Sequence, residues 1–245
     1  MQPEQFATFK YMFDQILGLH KLGPSESLAS IDTAPYRSWA YFMERRARQA
    51  YLMANWRPII ITEQRTTDAS GIIAFDQAGK RRIGALHAIY KSQPNLGAEK
   101  VTSPVRFVVT ADGAQLANAE TGTFWVTYKL AAPRFTTVAY VAGSNYPAGT
   151  VVFWPTTADS MLYGDCYEAR VDAAGTGFYW DRQVVPLEMA DWIIWAAWAD
   201  SLKLDGQKER ANVELEAAEL ALMRAAAAST AGQGNAPRAQ VRIGS

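Results

Sequence analysis

The chain has 245 residues, 49% of them hydrophobic, with 24 lysines and arginines against 24 aspartates and glutamates. That length and apolar content can bury a substantial core, in one domain or a domain plus a subdomain. The balanced charge argues against a dominant nucleic-acid-binding surface and leaves room for a local basic patch.

The first predicted element is a helix over 4–19, where Phe6, Phe9, Phe13, Ile16 and Leu17 recur at helical spacing on one aromatic face. Asp14 interrupts the apolar stretch and no small-residue cleavage pattern follows, so a secretory signal is not expected. Gly18 and then Gly23-Pro24 are expected to stop the helix, and 24–33 reads as a Ser-rich connection. A second helix is predicted over 35–55, with Thr33 as N-cap and Pro35 in the first turn. It carries Tyr36, Trp39, Met43, Ala47, Ala50 and Tyr51 on one side and Arg45, Arg46 and Arg48 largely elsewhere. Pro58 ends it.

The pattern then changes period. Pro58–Thr62, Gly71–Phe75, Ile83–Tyr90, Val105–Thr110, Phe124–Lys129 and Val151–Trp154 are short β-branched or aromatic runs. Turn residues such as Asp112-Gly113, Thr121-Gly122 and Gly143-Ser144-Asn145 separate them. Alternation places Phe124, Val126 and Tyr128 on one face of a strand. No βαβ rhythm and no phosphate-cradling glycine loop is visible, so the sheets are expected to be antiparallel.

Helical periodicity returns at Pro186. Leu187–Leu204 is apolar nearly all round, with Trp192, Trp195 and Trp198 three residues apart, and is expected to be enclosed on several sides, by its own fold or by neighbouring copies. Asp191 and Asp200 punctuate it, leaving it short of the ~20 apolar residues of a membrane span, so no membrane partner is expected. Asp205-Gly206 breaks this helix, and Asp205 is expected to cap the next one, an Ala/Glu-rich helix over 206–228 with a narrow apolar strip. The polar terminus 229–245 cannot build a core of its own.

The predicted fold is α+β. Residues 1–56 and 186–228 form a helical bundle core, 57–185 an inserted antiparallel β-rich domain with a small aromatic subdomain at 146–180, and 229–245 an extended tail.

Candidate chemistry is sparse. His20 and His87 stand in different predicted elements and read as structural or surface histidines. Cys166 is the single cysteine; it excludes an intramolecular disulfide framework, fits a reducing cytosol, and lacks a nucleophile signature. Glu188 with Asp191, and Glu214 with Glu216, look like helix-surface charges rather than the cleft-held pair of glycoside chemistry. No enzyme activity, cofactor or metal is expected. Arg45, Arg46 and Arg48 are the candidates for contact with DNA or an acidic partner; the alternative is a solvated helix side.

Tyr146-Pro147-Ala148-Gly149-Thr150-Val151-Val152, Tyr163 to Ala169 and Trp180 resemble the small carbohydrate-binding modules of chitinases. The resemblance implies glycan stacking by Tyr146, Tyr167 and Trp180, in a tail- or fibre-associated protein. The reading preferred from the residues themselves is structural, with these aromatics as the core of a small sheet.

A wider resemblance runs through Ile83–Tyr90, Pro94, Phe124–Tyr128, Pro133-Arg134-Phe135, Val185-Pro186, the apolar helix, Ala199-Asp200-Ser201-Leu202, Asp205-Gly206-Gln207 and the Ala/Glu helix. These are similar to head-to-tail adaptor, or connector, proteins of tailed bacteriophages. The resemblance implies a structural protein of the virion neck or tail, assembled in the host cytoplasm. Its copies would form a ring, usually a dodecamer, beneath the portal protein. The ring would extend the DNA channel, with non-specific DNA contact, and receive tail-tube, nozzle or fibre proteins. Trp192, Trp195 and Trp198 would then lie at the subunit interface, and Arg238, Val241, Arg242 and Ile243 would dock the portal.

Overall fold

The computed structural model describes residues 6–22, 31–94, 103–111, 113–155, 163–170, 173–174 and 180–231. In chain order its elements begin with β1 (Phe6–Thr8), α1 (Phe9–Leu19), α2 (Tyr36–Met53) and β2 (Ile60–Thr66). Next come β3 (Ile72–Ala74), β4 (Ile83–Tyr90), β5 (Phe107–Val109), β6 (Gly113–Leu116) and β7 (Thr123–Leu130). A second group of short strands follows: β8 (Asn145–Tyr146), β9 (Val151–Phe153), β10 (Cys166–Ala169), β11 (Ala173–Ala174), β12 (Trp180–Arg182) and β13 (Val184–Pro186). Two helices close the described chain, α3 (Leu187–Leu204) and α4 (Lys208–Ala231). The class is α+β, and every sheet pairing among the named strands is antiparallel.

The residues group into two compact units, divided at Asn55/Trp56 and Ala131/Ala132. The expected single insert over 57–185 is therefore corrected. Only 56–131 stands as a separate β unit, while the strands beyond Ala132 belong with the helices. The reason lies in pairing: β1, at the start of the chain, hydrogen-bonds β13, with Ala7 opposite Val185.

In the helical unit, α1 starts at Phe9 rather than at residue 4, because Phe6–Thr8 is extended in that pairing. Thr8 is the N-cap, its hydroxyl accepting from the Tyr11 backbone N–H. The fully buried Asp165 carboxylate accepts a second free N–H of the first turn, that of Lys10, at 2.8 Å. Gly18 does not stop α1. The helix runs one residue further, to the expected end at Leu19, and closes where Lys21 takes a positive φ of 59° and Leu22 N–H bonds Leu17 C=O at 2.9 Å, a Schellman ending.

Phe9, Met12, Phe13, Ile16 and Leu17 are buried along one stripe. Phe9 meets Phe135 at 5.3 Å and Phe153 at 5.9 Å between ring centroids, tying α1 to the small strands. α2 has Pro35 at its N-cap position without a side-chain cap bond, and the Thr33 carbonyl accepts from Arg37 N–H.

α3 ends in a second Schellman turn, with Gln207 N–H on Leu202 C=O at 2.9 Å. Gly206 there has φ 81°, which a side chain would strain. Asp205 is thus the C-cap of α3 and not the N-cap of α4; that place falls to Gln207, whose carbonyl accepts from Ala211 N–H.

Among its described residues the β unit has two three-stranded sheets, ordered β2-β7-β4 and β3-β6-β5. Phe124, Val126 and Tyr128 are buried together with Ile73, Ile83, Ile89, Ala114 and Leu116, on the face that alternation predicts. The interior also holds Arg65. Its guanidinium donates to the Tyr128 hydroxyl at 2.8 Å and to the Arg81 carbonyl, lies 3.0 Å from Glu63, and sits 4.7 Å from the Tyr128 ring centre. Tyr128 in turn donates to Glu63 at 2.7 Å. Burial is the main cause that raises the Tyr128 hydroxyl well above its ordinary pKa, so it stays a donor.

Candidate functional site

Among the sequence-designated groups, the arginine triplet is redistributed most. Arg46 follows Trp39 and Met43 and precedes Ala50 at helical spacing, which puts it on the packed side of α2. It is buried, and its Nε and NH2 donate to the two oxygens of Asp200 on α3 at 2.8 and 2.7 Å. Arg45 donates to the same carboxylate at 2.6 Å from the solvent side. Arg46 is thus corrected: it is no surface cation for DNA, because a guanidinium inside this unit requires the carboxylate it holds. One carboxylate faces two guanidiniums, so the cluster keeps a surplus positive charge that Arg45 carries to the surface. Arg48 is exposed and pairs with Glu44 one turn earlier, at 2.9 Å.

The tryptophans of α3 divide by exposure: Trp192 is 5% and Trp198 is 4% exposed, whereas Trp195 is 39% exposed. α1 and α2 pack against α3, and Ala211 and Leu215 of α4 close over Trp198, Ala199 and Leu202. The all-round apolar helix is therefore the centre of its own unit. The expectation that it needs neighbouring copies for cover is corrected for Trp192 and Trp198. Of the three tryptophans only Trp195 offers a broad surface, its ring edge-on to Trp198 at 5.4 Å.

The aromatics designated for glycan stacking pack mainly on one another. Tyr167 and Trp180 are buried with Val152, Trp154 and Ala169, and Tyr140 stacks on Trp154 at 3.8 Å between centroids. Tyr146 is half-buried, and its hydroxyl accepts from the Val141 N–H at 2.8 Å. Tyr167 and Trp180 are corrected accordingly: with their faces inside a small core, they present no platform to a sugar ring.

His20 stacks on Trp39 at 4.4 Å, and its Nε2 lies 2.9 Å from Ser201 Oγ. Ser201 donates its proton to the Trp198 carbonyl at 2.7 Å, so the imidazole is the donor of that contact and the pair is no nucleophile dyad. Burial lowers the His20 pKa, with Asp205 opposing and Arg210 adding to the shift. Cys166 is fully buried, which pushes its thiol pKa far up and keeps it a thiol. Arg238, Val241, Arg242 and Ile243 lie outside the described residues.

Asp165 is a carboxylate the sequence reading passed over. It binds the guanidinium of Arg182 and caps α1 at once, joining β12 to the helix start. Its signal was a charge inside an otherwise apolar and aromatic run, which demands a partner once buried.

Two outward helix faces were also missed. On α4, Val213, Leu220 and Met223 are 67%, 50% and 55% exposed along one strip, with exposed Glu216 and Glu219 beside them. On α2, exposed Tyr41, Arg45, Arg48 and Leu52 form a strip of their own. Spacing of four, three and four residues from Tyr41 to Leu52, and of three, four and three through Val213, Glu216, Leu220 and Met223, places each set on one side of its helix. No helix among the described residues is long and apolar enough to cross a membrane.

No protein-family model matches the chain, and the search of curated proteins returns no match.

Proposed function

We propose that this chain is a structural assembly protein of the head-to-tail adaptor type. Its copies join into a ring between a portal and a tail, extend the DNA channel and give tail components a platform. The observation that carries the reading is the outer strip of α4. At ~1.5 Å per residue this 24-residue helix runs about 36 Å. One side is seated through Ala211, Ala218 and Leu222, and the opposite side leaves Val213, Leu220 and Met223 in solvent. An uncovered apolar strip on a long helix marks an interaction surface.

Further support comes from the separate β unit over 56–131, which suits attachment of a second component. In this reading the terminus carrying Arg238, Val241, Arg242 and Ile243 docks the portal. Arg46, held inside the unit by Asp200, is withdrawn from any contact with channel DNA. Trp195 remains the one α3 tryptophan at a subunit boundary.

Negative-stain micrographs of the full chain, alone and mixed with a portal ring, test the proposal. Closed rings with a central channel, seated on the portal, are the expected result. A monodisperse monomer that ignores the portal overturns it.

A further inference from the structure

The strips on α2 and α4 match each other in spacing and in charge. On α2, Tyr41 and Leu52 stand eleven residues apart, about 16 Å along the axis, with Arg45 and Arg48 between them. On α4, Val213 and Met223 stand ten residues apart, about 15 Å, with Leu220 and the carboxylates Glu216 and Glu219 between them. From Ala211 to Met223 α4 carries Glu214, Glu216 and Glu219 and no lysine or arginine. The α2 strip has the opposite bias, because Arg45 and Arg46 share the single carboxylate of Asp200. Each strip is apolar at its ends and charged in its middle, and the charges have opposite sign.

We propose that the α2 strip of one copy docks on the α4 strip of the next. Tyr41 and Leu52 flank the contact with Val213 and Met223, and Arg45 and Arg48 face Glu216 and Glu219. This rests on the adaptor reading and specifies the surfaces through which its copies meet. The contact is heterologous, since one copy offers α2 and receives with α4, and such contacts build rings or open filaments rather than two-fold dimers. A closed ring occupies both strips of every copy, so it outcompetes an open pair.

Two experiments on the full chain test the pairing. Arg48→Glu and Glu216→Arg, each exposed and outside the cores, should each weaken self-association by roughly tenfold. In the antiparallel alignment, which sets residue 48 opposite 216, the double variant R48E/E216R should recover it; in the parallel alignment, which sets 48 opposite 219, R48E/E219R should do so, with unchanged circular dichroism throughout. Chains carrying Leu52→Cys with Val213→Cys, or Leu52→Cys with Met223→Cys, cover the antiparallel and the parallel alignment. One of these two should give an oxidised ladder of dimers, trimers and higher species, while buried Cys166 stays out of the reaction. Assembly that proceeds without any ladder, and without response to charge reversal, overturns the pairing and leaves the ring reading standing. A crosslink confined within single chains also overturns it. A wild-type chain that never self-associates removes both.

Discussion

Arg46 holds Asp200 with two near-parallel hydrogen bonds, Nε to Oδ2 at 2.8 Å and NH2 to Oδ1 at 2.7 Å, between α2 and α3. Both side chains are buried, so losing either one leaves a charge without its counter-ion. Asp200→Ala is expected to cost about 3–5 kcal/mol of unfolding free energy, measured by urea denaturation. Arg46→Met with Asp200→Leu should recover a large part of that, because the pair can be exchanged for apolar packing. A double variant as unstable as Asp200→Ala would contradict this account of the pair.

The three tryptophans of α3 should separate by stability. Trp198→Ala empties a packed position against Leu202 and Ala211 and is expected to cost about 3–5 kcal/mol. Trp195→Ala removes a ring already partly in water and should cost about 1 kcal/mol or less. Thermal unfolding of both variants gives the order, and equal losses would refute the burial difference.

Stability should fall with acid through the histidines. Burial lowers the pKa of both His20 and His87 below the ordinary 6.5, so the folded chain binds fewer protons than the unfolded chain as pH drops through that value. Above 6.5 both states are neutral at these sites and the histidine contribution is flat. Denaturation midpoints should therefore decline from pH 7 toward pH 5, and His20→Gln with His87→Gln should flatten the decline. A midpoint that rises in that window contradicts the sign.

In the β unit, Tyr128→Phe keeps the ring beside Arg65 but removes the hydroxyl that bridges Arg65 and Glu63. A loss of about 1–3 kcal/mol is expected in urea, from buried partners left unmet. An unchanged midpoint would show that the bridge contributes nothing.

How much of this was legible in the sequence follows from particular residues. The alternation of Phe124, Val126 and Tyr128 gave the buried face of β7 directly, because a strand's period is two and the opposite face is wetter. The helices were legible to within a few residues. The start of α1 was not, since Phe6 has the right helical spacing and only the distant pairing of Phe6 with Pro186 makes it extended. The same long-range pairing hid the true unit boundary at Ala132. Arg46 was misplaced by reading it with its exposed neighbours instead of with Trp39, Met43 and Ala50. α3 was expected to need other subunits because one chain's pattern does not say which of its own helices will cover it. The strips on α2 and α4 became visible only once the inward sides of those helices were known.

Sedimentation velocity of the full chain across a concentration series tests the central claim most directly. The account predicts a species at one fixed multiple of 27.0 kDa that stops growing once it has formed, as a closed ring does. A 27.0 kDa monomer at every concentration would contradict it.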